Sequence, residues 1–260
     1  MKTTLFAAAL VAALTLTAAA AQKKPAPSQH LAGNSEQITL APAGIPPSLC
    51  NPCLFYGGDL NPADINAAGM SDENTLLIVG GSGTYGSFVV PGGGVTANVT
   101  GILFNVQASD NFDPLTASYD IRTGVSEGDG GTSITSGTAN LSVQATGRNF
   151  IGLNEYTIAV KLPWTVVLGE GEYWFNLTPN CTNGAQDGSC YEGRFFVSNT
   201  TQETNNVLGK AQAPHSMYLN SSYFGFTWAN WCDSDLGFNG NQCLGLSYGL
   251  TGTNGTSGSK

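Results

Sequence analysis

Residues 95–107 read Val-Thr-Ala-Asn-Val-Thr-Gly-Ile-Leu-Phe-Asn-Val-Gln. The run is rich in β-branched and aromatic residues, and a proline and three glycines precede it, which is the pattern of a strand that follows a turn. Val99, Ile102, Phe104 and Val106 are the side chains that we expect to point into a core. The stretch therefore predicts one long strand of a β-domain.

The rest of the chain repeats this pattern in shorter runs, each bounded by turn residues. No segment keeps a helical period of 3.6 over several turns. The sequence therefore predicts an all-β fold, a single β-sandwich of jelly-roll or Greek-key type with disulfide-clasped loops. The predicted runs are residues 75–79, 87–90, 116–122, 140–145, 155–162, 164–168, 172–177, 193–198, 223–228 and 244–248.

The two ends of the chain differ in composition from its middle. A basic start at Lys2, an apolar run and three alanines predict a signal peptide over residues 1–21, and hence secretion. Residues 22–48 contain five prolines among small polar residues and predict a linker or N-terminal arm. The β-sandwich domain is predicted over residues 49–250, and residues 251–260 have the composition of a flexible polar tail.

The six cysteines fall into three close pairs along the chain. Because thiols oxidise outside the cytosol, we predict disulfides between sequence neighbours, which would fix the shapes of loops. The two-residue spacing of the first pair also occurs in redox and zinc sites, which remain minor alternatives. The predicted pairs are Cys50 with Cys53, Cys181 with Cys190, and Cys232 with Cys243.

Charge limits the partners of this chain. Charged residues make up 10% of the sequence, and between residues 49 and 250 there are five basic residues against seventeen acidic ones. Nucleic acids and anionic membrane surfaces are bound through lysine and arginine, so we predict that the chain binds neither. The sequence after residue 21 has no long apolar run, so we predict no membrane insertion of the mature chain. Neutral glycans, cations and further copies of the same chain remain as partners.

A short segment after the first cysteine pair carries four oxygen-bearing side chains within eight residues: Asp59, Asn61, Asp64 and Asn66. Calcium takes six to eight hard oxygen ligands from such loops, so a structural calcium ion is one hypothesis for this segment. The segment departs from the known calcium loops, since Ala63 stands where an acid is needed. An Asx-rich turn is the favoured alternative.

Aromatic side chains crowd the segment from residue 218 to residue 231. Exposed tyrosine and tryptophan rings stack on sugar rings, so Tyr223, Trp228 and Trp231 are the candidate ligand-binding residues. Aromatics that alternate along a strand are more often core residues, and that alternative stays open here.

Catalytic patterns are weak in this sequence. Gly124-Val-Ser-Glu-Gly128 matches a serine-hydrolase motif, but turn residues follow where that motif needs a helix. Glu170 and Glu172, like Asp233 and Asp235, are spaced to share one strand face. A glycosidase also needs a carboxylate on the opposite side of a cleft, and the sequence does not identify one for either pair. We therefore assign no catalytic residues.

Three patches resemble secreted bacterial β-sandwich proteins of the acidobacterial and cyanobacterial kind, in the PEP-CTERM or choice-of-anchor groups. They are residues 117–131, residues 167–174 and residues 224–232. Some relatives carry a C-terminal sorting tail, which residues 251–260 do not resemble. The resemblance implies a surface or matrix protein and supplies no catalytic residues.

These observations lead to three functional hypotheses. The first is a non-catalytic extracellular protein that acts by adhesion or by self-assembly into filaments or a matrix, with Ile38, Thr39 and Leu40 of the arm adding as a strand to a neighbour's sheet. The second is a glycan-binding module, and the third is a secreted glycan-active hydrolase. No cofactor is predicted apart from the structural calcium ion.

Overall fold

The computed structural model describes residues 53–59, 69–71, 81–108, 112–150, 152–180, 195–200, 217–221, 225–230 and 245–256. This part of the chain forms thirteen strands and no helix, so the predicted all-β class is confirmed. No helix long and apolar enough to cross a membrane occurs in these ranges. The strands are β1 Cys53–Tyr56, β2 Gly69–Ser71, β3 Ser82–Val90, β4 Val95–Ala108, β5 Thr116–Thr123, β6 Thr132–Phe150, β7 Leu153–Leu168, β8 Gly171–Pro179, β9 Phe195–Thr200, β10 Tyr218–Ser221, β11 Phe226–Asn230, β12 Gly245–Leu246 and β13 Tyr248–Thr256.

The strands join into one antiparallel sheet in the order β1-β13-β4-β7-β6-β5-β8-β3-β10-β11. β9 pairs with the last residues of β4, and β2 and β12 pair with β9. β4 is the strand that the opening sequence run predicts, and Val99, Ile102, Phe104 and Val106 are all fully buried. The predicted core face of this strand is therefore confirmed.

The sheet curls so that strands far apart in this order face each other. The ring of Phe55 in β1 lies 5.3 Å from the ring of Phe88 in β3, centroid to centroid. Phe88 also contacts Phe175 in β8, and Phe104 in β4 contacts Tyr248 in β13. Burial of these large apolar surfaces between the two halves of the curl is the main stabilising term of the fold.

β6 is the longest described strand and belongs to both halves of the curl. Its residues 132–140 pair with β5, whereas its residues 141–150 pair with β7. Within the described ranges, each part of β6 therefore has one paired side and one open side. β7 also has an open side within the described ranges, because its residues 161–168 pair only with β4.

Two sequence predictions of strand limits differ from the structure. The runs predicted at residues 155–162 and 164–168 form one strand, β7, with a bulge at residues 162–165 that contains Pro163. Proline has no N–H for a ladder and is placed at such bulges. β13 continues to Thr256 along β4, into the segment that the sequence assigns to a flexible tail, because alternating threonines pair well in a sheet.

Several predictions lie outside the described residues. The signal peptide, the arm with Ile38, Thr39 and Leu40, and five of the six cysteines are among them, and of Cys53 only the backbone is described. The disulfide pairs and the secretion signal therefore stay predictions.

Candidate functional site

The outer face of β10, β3, β8 and β5 carries a row of polar side chains. Tyr119 and Ile121 of β5 and Phe175 and Leu177 of β8 point into the core, so the residues between them point outward. The ladder places Ser118 opposite Thr178, Asp120 opposite Asn176, and Arg122 opposite Trp174; it also places Asn220 of β10 opposite Gly83 of β3.

Aromatic rings form a second layer beside this polar row, which we call the aromatic wall. The wall consists of Tyr85, Trp174, Tyr218 and Trp228, packed with Val125. The Tyr85 and Trp228 rings are 4.6 Å apart, and the Trp174 and Tyr218 rings are 6.2 Å apart. Such ring pairs stabilise each other beyond the area that they bury.

The hairpin between β5 and β6 fixes the position of Trp228 within the aromatic wall. Trp228 has a φ of 46°, the only positive value among the described non-glycine residues. Its carbonyl accepts a hydrogen bond from the Gly128 amide, and its ring lies so close to Gly130 that a Cβ there would overlap it. The Arg122 guanidinium stands 5.0 Å above the same ring, in a cation–π contact. The predicted ligand residue Trp228 is thus half-buried and held by its neighbours.

The serine-hydrolase motif lies in this hairpin. The Ser126 amide donates to the Asp129 carbonyl at 2.9 Å, and the Asp129 amide donates back to the Ser126 carbonyl at 2.9 Å. Gly124 and Gly128 both have positive φ values, which a tight turn requires. The motif is therefore part of a two-stranded turn and is not followed by the helix that a nucleophile elbow needs.

The polar row and the aromatic wall border a groove of about 250 Å³. Its lining is almost entirely uncharged, with Asp120 as the only ionisable carboxylate. Asp120 accepts hydrogen bonds from Arg122 at 2.6 Å, from Ser133 at 2.7 Å and from Tyr85 at 3.3 Å. This carboxylate is neutralised by Arg122 and fixes the position of the Tyr85 hydroxyl.

A buried polar network lies on the opposite half of the curl, on the outer face of β4 and β7. Glu155 is 0% exposed and Arg148 is 4% exposed, and the Glu155 carboxylate accepts a hydrogen bond from Arg148 Nε. Ser198 and Thr146 each donate to Glu155 at 2.9 Å. Arg148 Nη1 is 3.2 Å from the Asp59 carboxylate. The arginine therefore forms ion pairs with two carboxylates.

The network continues from Asp59 to the centre of the sheet. The Tyr56 hydroxyl donates to Asp59, and Asn105 donates to the Tyr56 hydroxyl at 2.9 Å and to Ser247 at 2.7 Å. Thr157 donates to the Asn105 amide oxygen at 2.7 Å. These bonds join β1, β4, β7 and the segment before β13.

Burial and the neighbouring charges shift the protonation of this network. Desolvation raises the pKa of Glu155, although Arg148 opposes the shift. Desolvation tends to lower the pKa of Arg148, but the Glu155 and Asp59 charges outweigh it, so the net shift is upward. Desolvation and Asp59 raise the pKa of Tyr56. Arg148 and Tyr56 therefore keep their protons at physiological pH.

Asp59 is the one described member of the predicted calcium set, and it binds Arg148 and Tyr56. The other three residues of the set, Asn61, Asp64 and Asn66, lie outside the described residues. In the described ranges no group of three or more histidine, cysteine, aspartate or glutamate side chains is placed to hold a metal ion. The calcium site stays a prediction, as do the ligand roles of Tyr223 and Trp231, which are not described either.

The place where β6 and β7 separate forms a third feature, which we call the seam. The seam consists of residues 132–140 of β6, residues 161–168 of β7, and Leu115, whose carbonyl accepts from the Leu141 amide where β6 changes partner. Four large apolar side chains are exposed in the described part of the chain, and all four lie in the seam: Leu115 at 77%, Ile134 at 41%, Trp164 at 57% and Val167 at 63%.

Sequence reasoning missed the groove, the buried network and the seam. Strand alternation gives a signal for the groove in residues 116–122, where every second residue is polar, and a weaker one in residues 172–177, where Trp174 stands between Glu172 and Asn176. The network brings together residues that are distant in the chain, and the seam depends on where β6 changes partner. Neither has a local sequence signal.

Comparison of this chain with protein-family models, with curated proteins and with solved structures finds no match. The resemblance to surface β-sandwich proteins therefore stays a prediction, and the groove, the buried network and the seam are the features that bear on function.

Proposed function

We propose that this protein is a secreted, non-catalytic subunit that assembles with copies of itself through the seam. The observation that carries the proposal is that three of the four exposed large apolar side chains of the described residues, Ile134, Trp164 and Val167, lie on the two open strand edges. The fourth, Leu115, adjoins the point where β6 changes partner. Open edges are templates for an added strand, and exposed apolar patches mark association surfaces.

Incomplete burial at β6 supports the same proposal. Ala139 of the seam packs against the core and Thr135 lies on the same face of β6, but both are only half-buried, whereas the core-facing side chains of β4 are fully buried. A strand added along the open side of residues 132–140 would cover these two side chains. The apolar area removed from water would then contribute to association.

The last strand of the sheet order, β11, has part of its outer edge occupied. The hairpin between β5 and β6 supplies the Gly128 amide to the Trp228 carbonyl and the Glu127 carboxylate to the Asn230 amide. These contacts reduce strand addition at β11, and the exposed apolar side chains lie at the seam, so the seam is the edge that we assign to assembly.

In this proposal the added strand comes from the arm of a neighbouring molecule and consists of Ile38, Thr39 and Leu40. A chain extends by at most about 3.5 Å per residue, so the residues between Leu40 and β1 reach roughly 40 Å, which is far enough to cross to a second copy. Ile38 and Leu40 alternate with Thr39, as the residues of an added strand that covers apolar positions must. The finer fold that we propose is a β-sandwich with disulfide-clasped loops in an extracellular setting.

The experiment compares the mature wild-type chain with Ile38→Asp/Leu40→Asp and, as matched control, Thr39→Ser. Light scattering and negative-stain electron microscopy should show assemblies for the wild type and the control. The double variant should remain monomeric, because two carboxylates cannot enter an apolar seam without a large desolvation cost. Assembly of the double variant at wild-type concentrations would exclude the arm as donor and leave direct contact between two seams.

A further inference from the structure

We infer that the groove on the outer face of β10, β3, β8 and β5 is a binding site for one ring of a neutral sugar chain. This inference is independent of assembly, since the groove and the seam are formed by different strand edges and faces. Its basis is the combination of an open floor, a lining of hydroxyl and amide groups whose one carboxylate is paired with Arg122, and the ring of Tyr85, which belongs to the aromatic wall.

The floor of the groove exists because residue 83 is glycine. A Cβ added at Gly83 would point into the groove, 3.3 Å from the Tyr85 ring and 3.7 Å from the Asn176 amide nitrogen. Any larger side chain at this position would occupy the space itself. The backbone of Gly83 pairs with Asn220 of β10, so the floor is part of the sheet and is rigid.

The lining is arranged before a ligand binds. The Asn176 amide donates to the Thr84 carbonyl at 2.9 Å and accepts from the Thr178 hydroxyl at 2.8 Å, and the Ser118 hydroxyl donates to Asn180 at 2.8 Å. A hydroxyl that has donated its hydrogen still carries acceptor lone pairs. Ser118 therefore offers a fixed acceptor to a hydroxyl group of a sugar.

The Asn220 side chain supplies both a donor and an acceptor at the rim of the groove. It is half-buried, and its amide makes no side-chain hydrogen bond with the other described residues. Because Arg122, Ser133 and Tyr85 all bind Asp120, the groove offers no unpaired charge to a ligand. An ionic ligand would lose its hydration without gaining an opposite charge. A neutral polyol would exchange its hydrogen bonds to water for hydrogen bonds to the hydroxyl and amide groups of the groove.

The size and the wall of the groove fit a single sugar ring. Its volume of about 250 Å³ lies just below the roughly 300–1,000 Å³ of sites that enclose drug-sized ligands. Tyr85 borders both the groove and the aromatic wall, and its ring carbon nearest to Gly83 gives the groove one apolar contact for a pyranose ring. The groove is open to solvent, so the neighbouring units of a longer chain can extend out of it.

The test titrates the full mature protein with neutral hexasaccharides of glucose, mannose, galactose and xylose, and with a polygalacturonate hexamer as the charged comparison. Binding is measured by calorimetry at millimolar sugar and by the fluorescence of Trp174 and Trp228. Gly83→Val fills the floor, and Asn220→Ala removes the rim amide without touching the core. Gly169→Val is the matched control, because a Cβ at Gly169 meets no atom within 4 Å.

We expect at least one neutral hexasaccharide to bind and the polygalacturonate hexamer not to bind. Gly83→Val should weaken binding by about tenfold or more, equivalent to about 1.4 kcal/mol, Asn220→Ala should weaken it several-fold, and the control should bind as the wild type does. The inference is overturned if no neutral hexasaccharide binds, if the charged hexamer binds equally well, or if Asn220→Ala and a folded Gly83→Val both keep wild-type affinity. Loss of binding in Asn220→Ala alone supports it should Gly83→Val fail to fold.

Discussion

At the scale of single residues, Gly86 decides how closely the two halves of the curled sheet approach. A Cβ on Gly86 would stand 2.7 Å from the Tyr248 ring, which is fully buried and which donates a hydrogen bond from its hydroxyl to the Ser87 carbonyl. The ring cannot retreat, because Phe55 and Phe104 pack against it on other sides. The absence of a side chain at residue 86 is therefore a packing requirement of the core.

We predict that Gly86→Ala lowers the free energy of unfolding by about 1–3 kcal/mol, the usual range for overpacking a core. Chemical denaturation of Gly86→Ala and of the wild type measures this difference in the free energy of unfolding. Gly169→Ala is the control, since its new methyl group meets open space, and it should stay within about 0.5 kcal/mol. Equal stability of the two variants would show that the Tyr248 ring moves freely.

Arg148 has a comparable role in the buried polar network, because it faces both Glu155 and Asp59. Arg148→Met should lower the free energy of unfolding by about 3–5 kcal/mol, since it leaves the Glu155 carboxylate buried without a cation. Arg148→Met/Glu155→Leu should recover most of that loss, because it removes both charges. A double variant no more stable than the single one would mean that the packing of the arginine, and not its charge, is what matters.

The stability of Arg148→Met should also depend on pH in a defined direction. Burial already raises the pKa of Glu155, and loss of the guanidinium, which lowers it, raises it further. The folded state then binds a proton more readily than the unfolded state, so stability increases as the pH falls through the raised pKa of Glu155 toward the ordinary range of a carboxyl group. Thermal unfolding between neutral pH and about pH 5 should show the deficit of Arg148→Met shrinking, and a constant deficit would contradict this assignment.

At the scale of elements, β6 determines the architecture. Its first part pairs with β5 and its second part with β7, so the strand carries the sheet round the curl and leaves open sides at the seam. The sequence predicts a strand only at residues 140–145, because the flanking Ser, Thr and Gly residues have little apolar periodicity. Their strand structure comes from pairing with β5, which is a contact between separate parts of the chain and has no local signal.

Amide hydrogen exchange should separate β6 from β4. β4 has paired neighbours on both sides and fully buried side chains over its second half, so its amides should exchange only by global unfolding. Residues 132–140 of β6 should exchange faster in dilute protein and become slower as the concentration rises, if a second copy covers them. β11 is the reference edge, and equal slowing there would mean that association is not confined to the seam.

At the scale of the whole molecule, sequence and structure agree where side-chain alternation alone decides the outcome. β4 could be predicted with its core face because Ile102, Phe104 and Val106 alternate along it and Val99 precedes them in the same β-rich run. Trp228 was a candidate ligand residue, and it proves to be half-buried beside a groove whose lining was not predicted. That lining comes from strands β3, β5, β8 and β10, which the fold brings together from distant parts of the chain.

The low charge of the sequence and the exposed apolar seam point to the same conclusion at this scale. Soluble proteins usually carry about a quarter charged residues, whereas this chain carries 10%. Few charges stand near the seam to oppose association, and Lys161 of β7 is the charged residue within its two edges. The whole-molecule expectation is a protein whose natural state is an assembly.

Sedimentation velocity over a wide concentration range tests this central claim most directly. It compares the mature wild type, Trp164→Thr/Val167→Thr, and Thr227→Lys as control on the exposed side of β11. The proposal predicts that the sedimentation coefficient of the wild type and of the control rises with concentration, while the seam variant sediments as a monomer with unchanged thermal stability. A wild type that stays monomeric throughout, or a seam variant that assembles like the wild type, would contradict it.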